Sequence, residues 1–263
     1  MLNKSILFSF IAALSTAFST SVFASDSAFN GPYLGLQGGG SLGYFSESSD
    51  STLTINERPN ISFSLDAPVD SSASNLGGFL GAYAGIGHVY KRFYLGMEIN
   101  GDLGSVDTTN YAPPTNDTGD LTTSIKDDAS IKNPYGVTLR PGYLLTPSLL
   151  LYAQLGVEKA QLDMNSTTTY ENVPTQSDAI YSIQSGVNQS QWGYRAGLGI
   201  ETQSKNHHLS VRLEYLFTDF GTLSSTDQAP ITGHLLLPTS NISETSHFSP
   251  FMHSLFLGVS YYV

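Results

Sequence analysis

Cysteine is absent from the sequence, which excludes a disulfide framework and any thiolate metal site. Charge is scarce: 13% of the 263 residues are Asp, Glu, Lys or Arg, against about 25% in an ordinary soluble domain. Basic residues are the rarest class, 11 against 22 acidic ones for a formal net charge of -11. Phosphate recognition needs clustered Lys and Arg, so nucleic acid is not an expected partner. The six histidines are scattered, and His207 and His208, adjacent in an expected turn, are read as solvated rather than as ligands. Neither a metal, nor a cofactor, nor a catalytic residue is expected. After the first 24 residues no stretch supplies the roughly 20 apolar residues of a spanning helix.

What the chain does have is glycine and aromatics: 25 Gly, 15 Tyr and 14 Phe. It opens with Lys4 ahead of an apolar run over residues 6–24, and Val22-Phe23-Ala24 offers the usual cleavage site. Residues 1–24 are therefore expected to be a secretory signal peptide, and residues 25–263 a single exported domain. A retained anchor is the alternative, disfavoured by the Ser and Thr in the run and the lack of a charged stop-transfer flank. Export without a membrane helix leaves the periplasm, the exterior or a β-barrel outer membrane.

The terminal segment, residues 250–263, decides among these. Phe251, His253, Leu255, Leu257, Val259, Tyr261 and Val263 alternate with Met252, Ser254, Phe256, Gly258, Ser260 and Tyr262. Alternation means a strand, since successive side chains point to opposite faces. Lipid cannot satisfy an open sheet edge, so in a membrane the strand must close a barrel. Seven further alternating segments are read at residues 33–45, 78–90, 93–104, 134–145, 149–162, 191–203 and 209–220. Apolar side chains take one parity, as Leu151, Ala153, Leu155 and Val157 do, and glycine with charge takes the other. The connections alternate between tight turns (Lys91-Arg92, Thr146-Pro147-Ser148, residues 204–207) and long polar segments (residues 46–75, 105–133, 164–190 and 221–249). Hairpin extensions are expected near residues 167–170 and 179–183. The predicted fold is all-β: an eight-stranded antiparallel up-and-down transmembrane barrel with four long outer loops and short periplasmic turns. A soluble lipocalin-like barrel would carry its apolar side chains inside, and here charge sits on the inner parity.

Four stretches resemble a known family: residues 31–39 (GPYLGLQGG), RFYLGMEINGD at 92–102, VRLEYLFTDFG at 211–221 and HSLFLGVSYYV at 253–263. Together they are similar to the small eight-stranded outer-membrane β-barrel family that includes the OmpA transmembrane domain and opacity-type surface antigens, the "porin family". The resemblance implies a bacterial outer-membrane location, contact with membrane lipid and lipopolysaccharide, and insertion by the barrel-assembly machinery. Members usually end in an aromatic residue, which forms part of the insertion signal. Here Val263 stands there behind Tyr261 and Tyr262, so recognition is expected to be weaker or to rest on Tyr261.

On the inner parity lie Glu98, Arg140, Glu158, Arg195, Arg212 and Glu214, on five consecutive strands and at comparable depth. Opposite charges in so narrow an interior should pair, because an unpaired buried charge costs several kcal/mol. The expected role is a structural plug, and the alternative is a gate for ions or small solutes. Enzymatic chemistry, such as lipid modification in the outer membrane, is disfavoured: His253 and Ser254 point to opposite faces, and Asp163 and Asp219 sit where rim acids are usually solvated. The long segments carry Tyr111, Tyr170, Tyr181, Leu235, Leu236 and Leu237, so a host or surface ligand is expected to meet an adhesin-like or antigenic exterior on a monomeric barrel.

Overall fold

The computed structural model describes residues 28–55, 61–117, 121–171, 181–204, 208–231 and 240–263. The expected signal peptide, His207 and Leu235–Leu237 lie outside these residues. The strands are β1 (Gly31–Ile55), β2 (Ile61–Tyr90), β3 (Phe93–Asp117), β4 (Leu121–Thr146), β5 (Leu149–Glu171), β6 (Tyr181–Gln203), β7 (Leu209–Asp219), β8 (Leu223–Ile231) and β9 (Ser240–Tyr262). Each pairs antiparallel with its neighbour, and β1 pairs with β9 from Tyr33↔Tyr262 to Ile55↔Ser240, which closes the ring.

The ring has eight staves, because β7 and β8 share one. β7 lies along β9 as far as Asp219↔Phe251, and β8 resumes at Leu223↔Phe248. The detour between them ends the pairing of β6 with β7 at Tyr194↔Asp219. It turns on Gly221, whose φ of 71° suits glycine and whose N–H donates to Asp219 Oδ1 at 2.8 Å.

Side-chain parity follows the sequence reading throughout the expected strands. Leu36, Leu80, Leu95, Leu139, Leu155, Leu198, Leu213 and Leu257 form part of an exposed apolar girdle, while Gln37, Glu98, Arg140, Glu158, Arg195, Arg212 and Glu214 are buried inside. The wall is far longer than expected. β1 to β6 and β9 run 23–30 residues, against roughly 9–11 needed to cross a bilayer. The segments read as long loops are thus largely strand, paired to the ends of their hairpins, as at Tyr170↔Tyr181 and Ile55↔Ile61. Their Ser, Thr, Asn and Asp content looked like loop because no lipid demands apolar residues on their outer face. Register shifts at Gly101/Ser105 and Lys132/Tyr135 mark where the girdle ends and the polar extension begins.

Candidate functional site

The lumen is filled in layers. At the periplasmic end Phe29 closes the floor: its N–H donates to Gln203 Oε1 at 3.2 Å and its ring meets Tyr262 edge-on at 6.0 Å. Tyr33, Tyr83, Tyr94, Tyr152 and Tyr262 pack beside it with Leu144 and Leu150. Inward glycines make room for these rings. A Cβ at Gly35 would overlap Tyr83, and one at Gly199 would overlap Tyr152.

Above the rings sit two arginines among three glutamates. Arg212 forks onto Glu98 through Nη1 at 2.6 Å and Nη2 at 3.1 Å, and reaches Gln37 Oε1 at 2.8 Å. Its guanidinium carbon is 3.3 Å from the centre of the Tyr83 ring. Arg140 donates to the Tyr33 hydroxyl at 2.8 Å, Glu98 at 3.2 Å and Glu201 at 2.7 Å, and stacks 3.9 Å from the Tyr152 ring centre. Glu201 also accepts from Ser210 and Tyr262, and Glu214 from Tyr152 and Gln154. Glu214 approaches Arg212 at 3.4 Å and Arg140 at 3.9 Å. These ions are removed from water, and every carboxylate oxygen among them has a donor or an arginine nitrogen within 3.4 Å, while the Nε groups of Arg140 and Arg212 are left without a partner.

Glu158 and Arg195 form a separate pair farther out, where Gln37 also donates to Asp102 at 2.7 Å. The six charges therefore do not make one belt at a common depth, as their spacing suggested. They divide into Glu98, Arg140, Arg212 and Glu214 on one side and Glu158 with Arg195 on the other, because strand tilt offsets residues at similar chain positions. Sequence reasoning omitted Glu201, Asp102, Gln37 and the tyrosines from the network, although Glu201 and Asp102 share the inward parity of their strands.

Beyond the charges lies an apolar layer in the lumen: Phe45, Phe79, Val106, Ile131, Leu162, Met164, Leu216, Phe220, Phe248, Met252 and Phe256 belong to one buried cluster. The terminal residues divide by parity. Tyr262 points inward, Tyr261 outward against His208, and the Val263 N–H donates to Pro32 O at 3.1 Å.

The residues weighed for chemistry are apart. His253 faces outward and is hydrogen-bonded to the Tyr215 hydroxyl at 2.7 Å, while Ser254 faces inward and bonds Ser41 at 2.7 Å. Asp163 pairs with Lys132 at 3.6 Å, and Asp219 caps the Gly221 turn. Among the described residues no group of three acidic or histidine side chains converges as metal ligands would. No described helix is long and apolar enough to cross a membrane.

A family model described as "Outer membrane protein beta-barrel domain" matches residues 10–240. Similar solved structures include OprG of Pseudomonas aeruginosa, at 14% identity over 90% of this chain and 99% of that one, with a TM-score of 0.40. The outer membrane protease OmpT of Escherichia coli is similar at 10% identity over 93% and 99%, with a TM-score of 0.34. Ail, the attachment invasion locus protein of Yersinia pestis, solved with the heparin analogue sucrose octasulfate, is similar at 11% over 81% and 98%, with a TM-score of 0.25. A search of curated proteins found no match.

Proposed function

Since the chain belongs to the outer membrane protein β-barrel domain family and resides in the bacterial outer membrane, we propose that it is a sealed, non-enzymatic barrel whose work is done at the cell surface. The observation that carries this is the filled lumen. Arg140 is 0% exposed, is held by three partners, and lies beneath a continuous apolar layer. An eight-stranded barrel has just enough interior for its side chains, and these occupy it. The extended walls then form a stiff polar platform standing beyond the girdle, suited to an adhesin-like or antigenic role, with Tyr111 exposed on β3. Antibodies raised against residues 223–231 should label intact cells, and proteoliposomes carrying the protein should exclude small sugars. Unlabelled cells would remove the surface role.

A small gated channel is the second reading. In the middle of the lumen Asn100 Nδ2 and Oδ1, Asp102 Oδ2, Gln154 Oε1 and Arg195 Nη2 have no protein partner. Buried polar atoms of this kind call for water, and a wet middle layer would need only the apolar layer to part.

A further inference from the structure

The last row of the girdle before the polar extension crosses three staves. Tyr135 of β4, Lys159 of β5 and Trp192 of β6 are direct partners in register and share the outer face. Tyr135 is 51% exposed and Trp192, the sole tryptophan of the chain, 55%. Lys159 Nζ stands 5.6 Å from the Trp192 ring centre, and among the described residues it has no carboxylate partner. The lysines of the polar extension are engaged, Lys126 with Asp128 at 2.7 Å and Lys132 with Asp163 at 3.6 Å. One row farther out, Gln161 and Ser190 stand opposite each other on the same face. One row farther in, Val157 is opposite Tyr194, and with Trp192 and Gly193 they line a groove of about 290 Å³. The groove lies where β7 leaves β6, at Tyr194↔Asp219, and Asp219 on that edge accepts the Gly221 N–H at 2.8 Å.

We propose that this row and groove form a binding site for one anionic lipid of the outer leaflet, with its phosphate on the Lys159 ammonium and an acyl chain in the groove over Val157 and Gly193. Two features select this occupant. The groove opens on the apolar girdle, where the membrane itself is the neighbour, and its lining of Val157, Trp192 and Tyr194 suits a hydrocarbon chain. Lys159 is a cation without a counter-charge on a chain whose formal net charge is -11, and a lipid phosphate at the membrane surface supplies one. A lysine at this level keeps its stem on apolar surface and carries its ammonium to the headgroups. There the Trp192 ring holds it, and Tyr135 and Trp192 sit as interfacial aromatics do. Gln161 and Ser190 add amide and hydroxyl donors on the phosphate side. A zwitterionic lipid fits the groove equally well but brings its own cation, which Lys159 repels.

Trp192 makes the site report on itself. The refolded barrel would be placed in phosphatidylcholine bilayers in which a rising fraction of the lipid is replaced by phosphatidylglycerol or phosphatidylcholine brominated on its acyl chains, and the quenching of tryptophan emission read. Phosphatidylglycerol is expected to be preferred about fivefold, the weight of one cation at an anionic surface, and the preference should shrink as salt is raised. Lys159→Gln should fold, as shown by its heat-dependent gel shift, should be quenched by brominated phosphatidylcholine as the wild type is, and should lose the preference. Lys159→Arg, which keeps the charge, should retain it, and so should Lys126→Gln on the polar extension. Equal quenching by the two lipids in the wild-type barrel would overturn the proposal, as would an undiminished preference in Lys159→Gln.

Discussion

Arg212 of β7 and Glu98 of β3, 114 residues apart in the chain, meet in the lumen through two hydrogen bonds of 2.6 and 3.1 Å. Neither has water to fall back on. Arg212→Ala should leave Glu98 buried with only Arg140 for counter-charge, and lower stability by about 3–5 kcal/mol, the usual cost of breaking a buried pair. Replacing both, as in Arg212→Met with Glu98→Leu, should recover much of that loss. Urea unfolding in detergent, followed by tryptophan fluorescence, reads both.

Gly199 is inward on β6 because the Tyr152 ring occupies the space its Cβ would need. Gly199→Val should cost about 1–3 kcal/mol, the typical penalty of overpacking. Adding Tyr152→Leu should relieve the clash at the expense of the hydroxyl's bond to Glu214. If Gly199→Val unfolds at the wild-type urea midpoint, the packing described for this layer is wrong.

The outer barrel should weaken as pH rises. In the folded chain burial, and then the Asp127 carboxylate, keeps the proton on Glu47 to about 8, whereas the unfolded chain gives it up near 4.5. The folded state therefore binds more protons between these values, and stability present below pH 4.5 is lost as pH climbs toward 8. Glu244, raised by burial, acts in the same direction. Unfolding midpoints at pH 5, 6.5 and 8.5 should fall in that order, and Glu47→Gln should flatten the series. A wild-type midpoint that rises with pH would contradict the assignment.

Inside the girdle the fold was legible because lipid on one side and a crowded lumen on the other impose strict two-residue alternation. Leu151, Tyr152, Ala153 and Gln154 could each be assigned a side from parity alone. The same rule places Glu201 beside Arg195 on the inner face of β6. What parity does not supply is depth: Arg195 meets Glu158 while Glu201 meets Arg140, because the tilt and stagger of the staves decide which inward residues share a level. The outer half was hidden for a different reason. Glu47, Ser166, Thr168, Glu244 and Ser246 are buried, but on stretches whose outer face meets water, so no apolar stripe distinguishes them from loop. The glycine at 221 was the sequence's sign of a bend, and it does not reveal that pairing resumes beyond it.

The sealed lumen is the central claim, and single-channel recording tests it most directly. Residues 25–263 would be refolded, checked for the heat-dependent gel shift of a closed barrel, and inserted into a planar bilayer. A folded protein that leaves the bilayer silent is the predicted result, and Arg140→Ala should open it or destabilise it. Reproducible ion steps from the folded wild-type barrel would contradict the account and make the charged layer a gate.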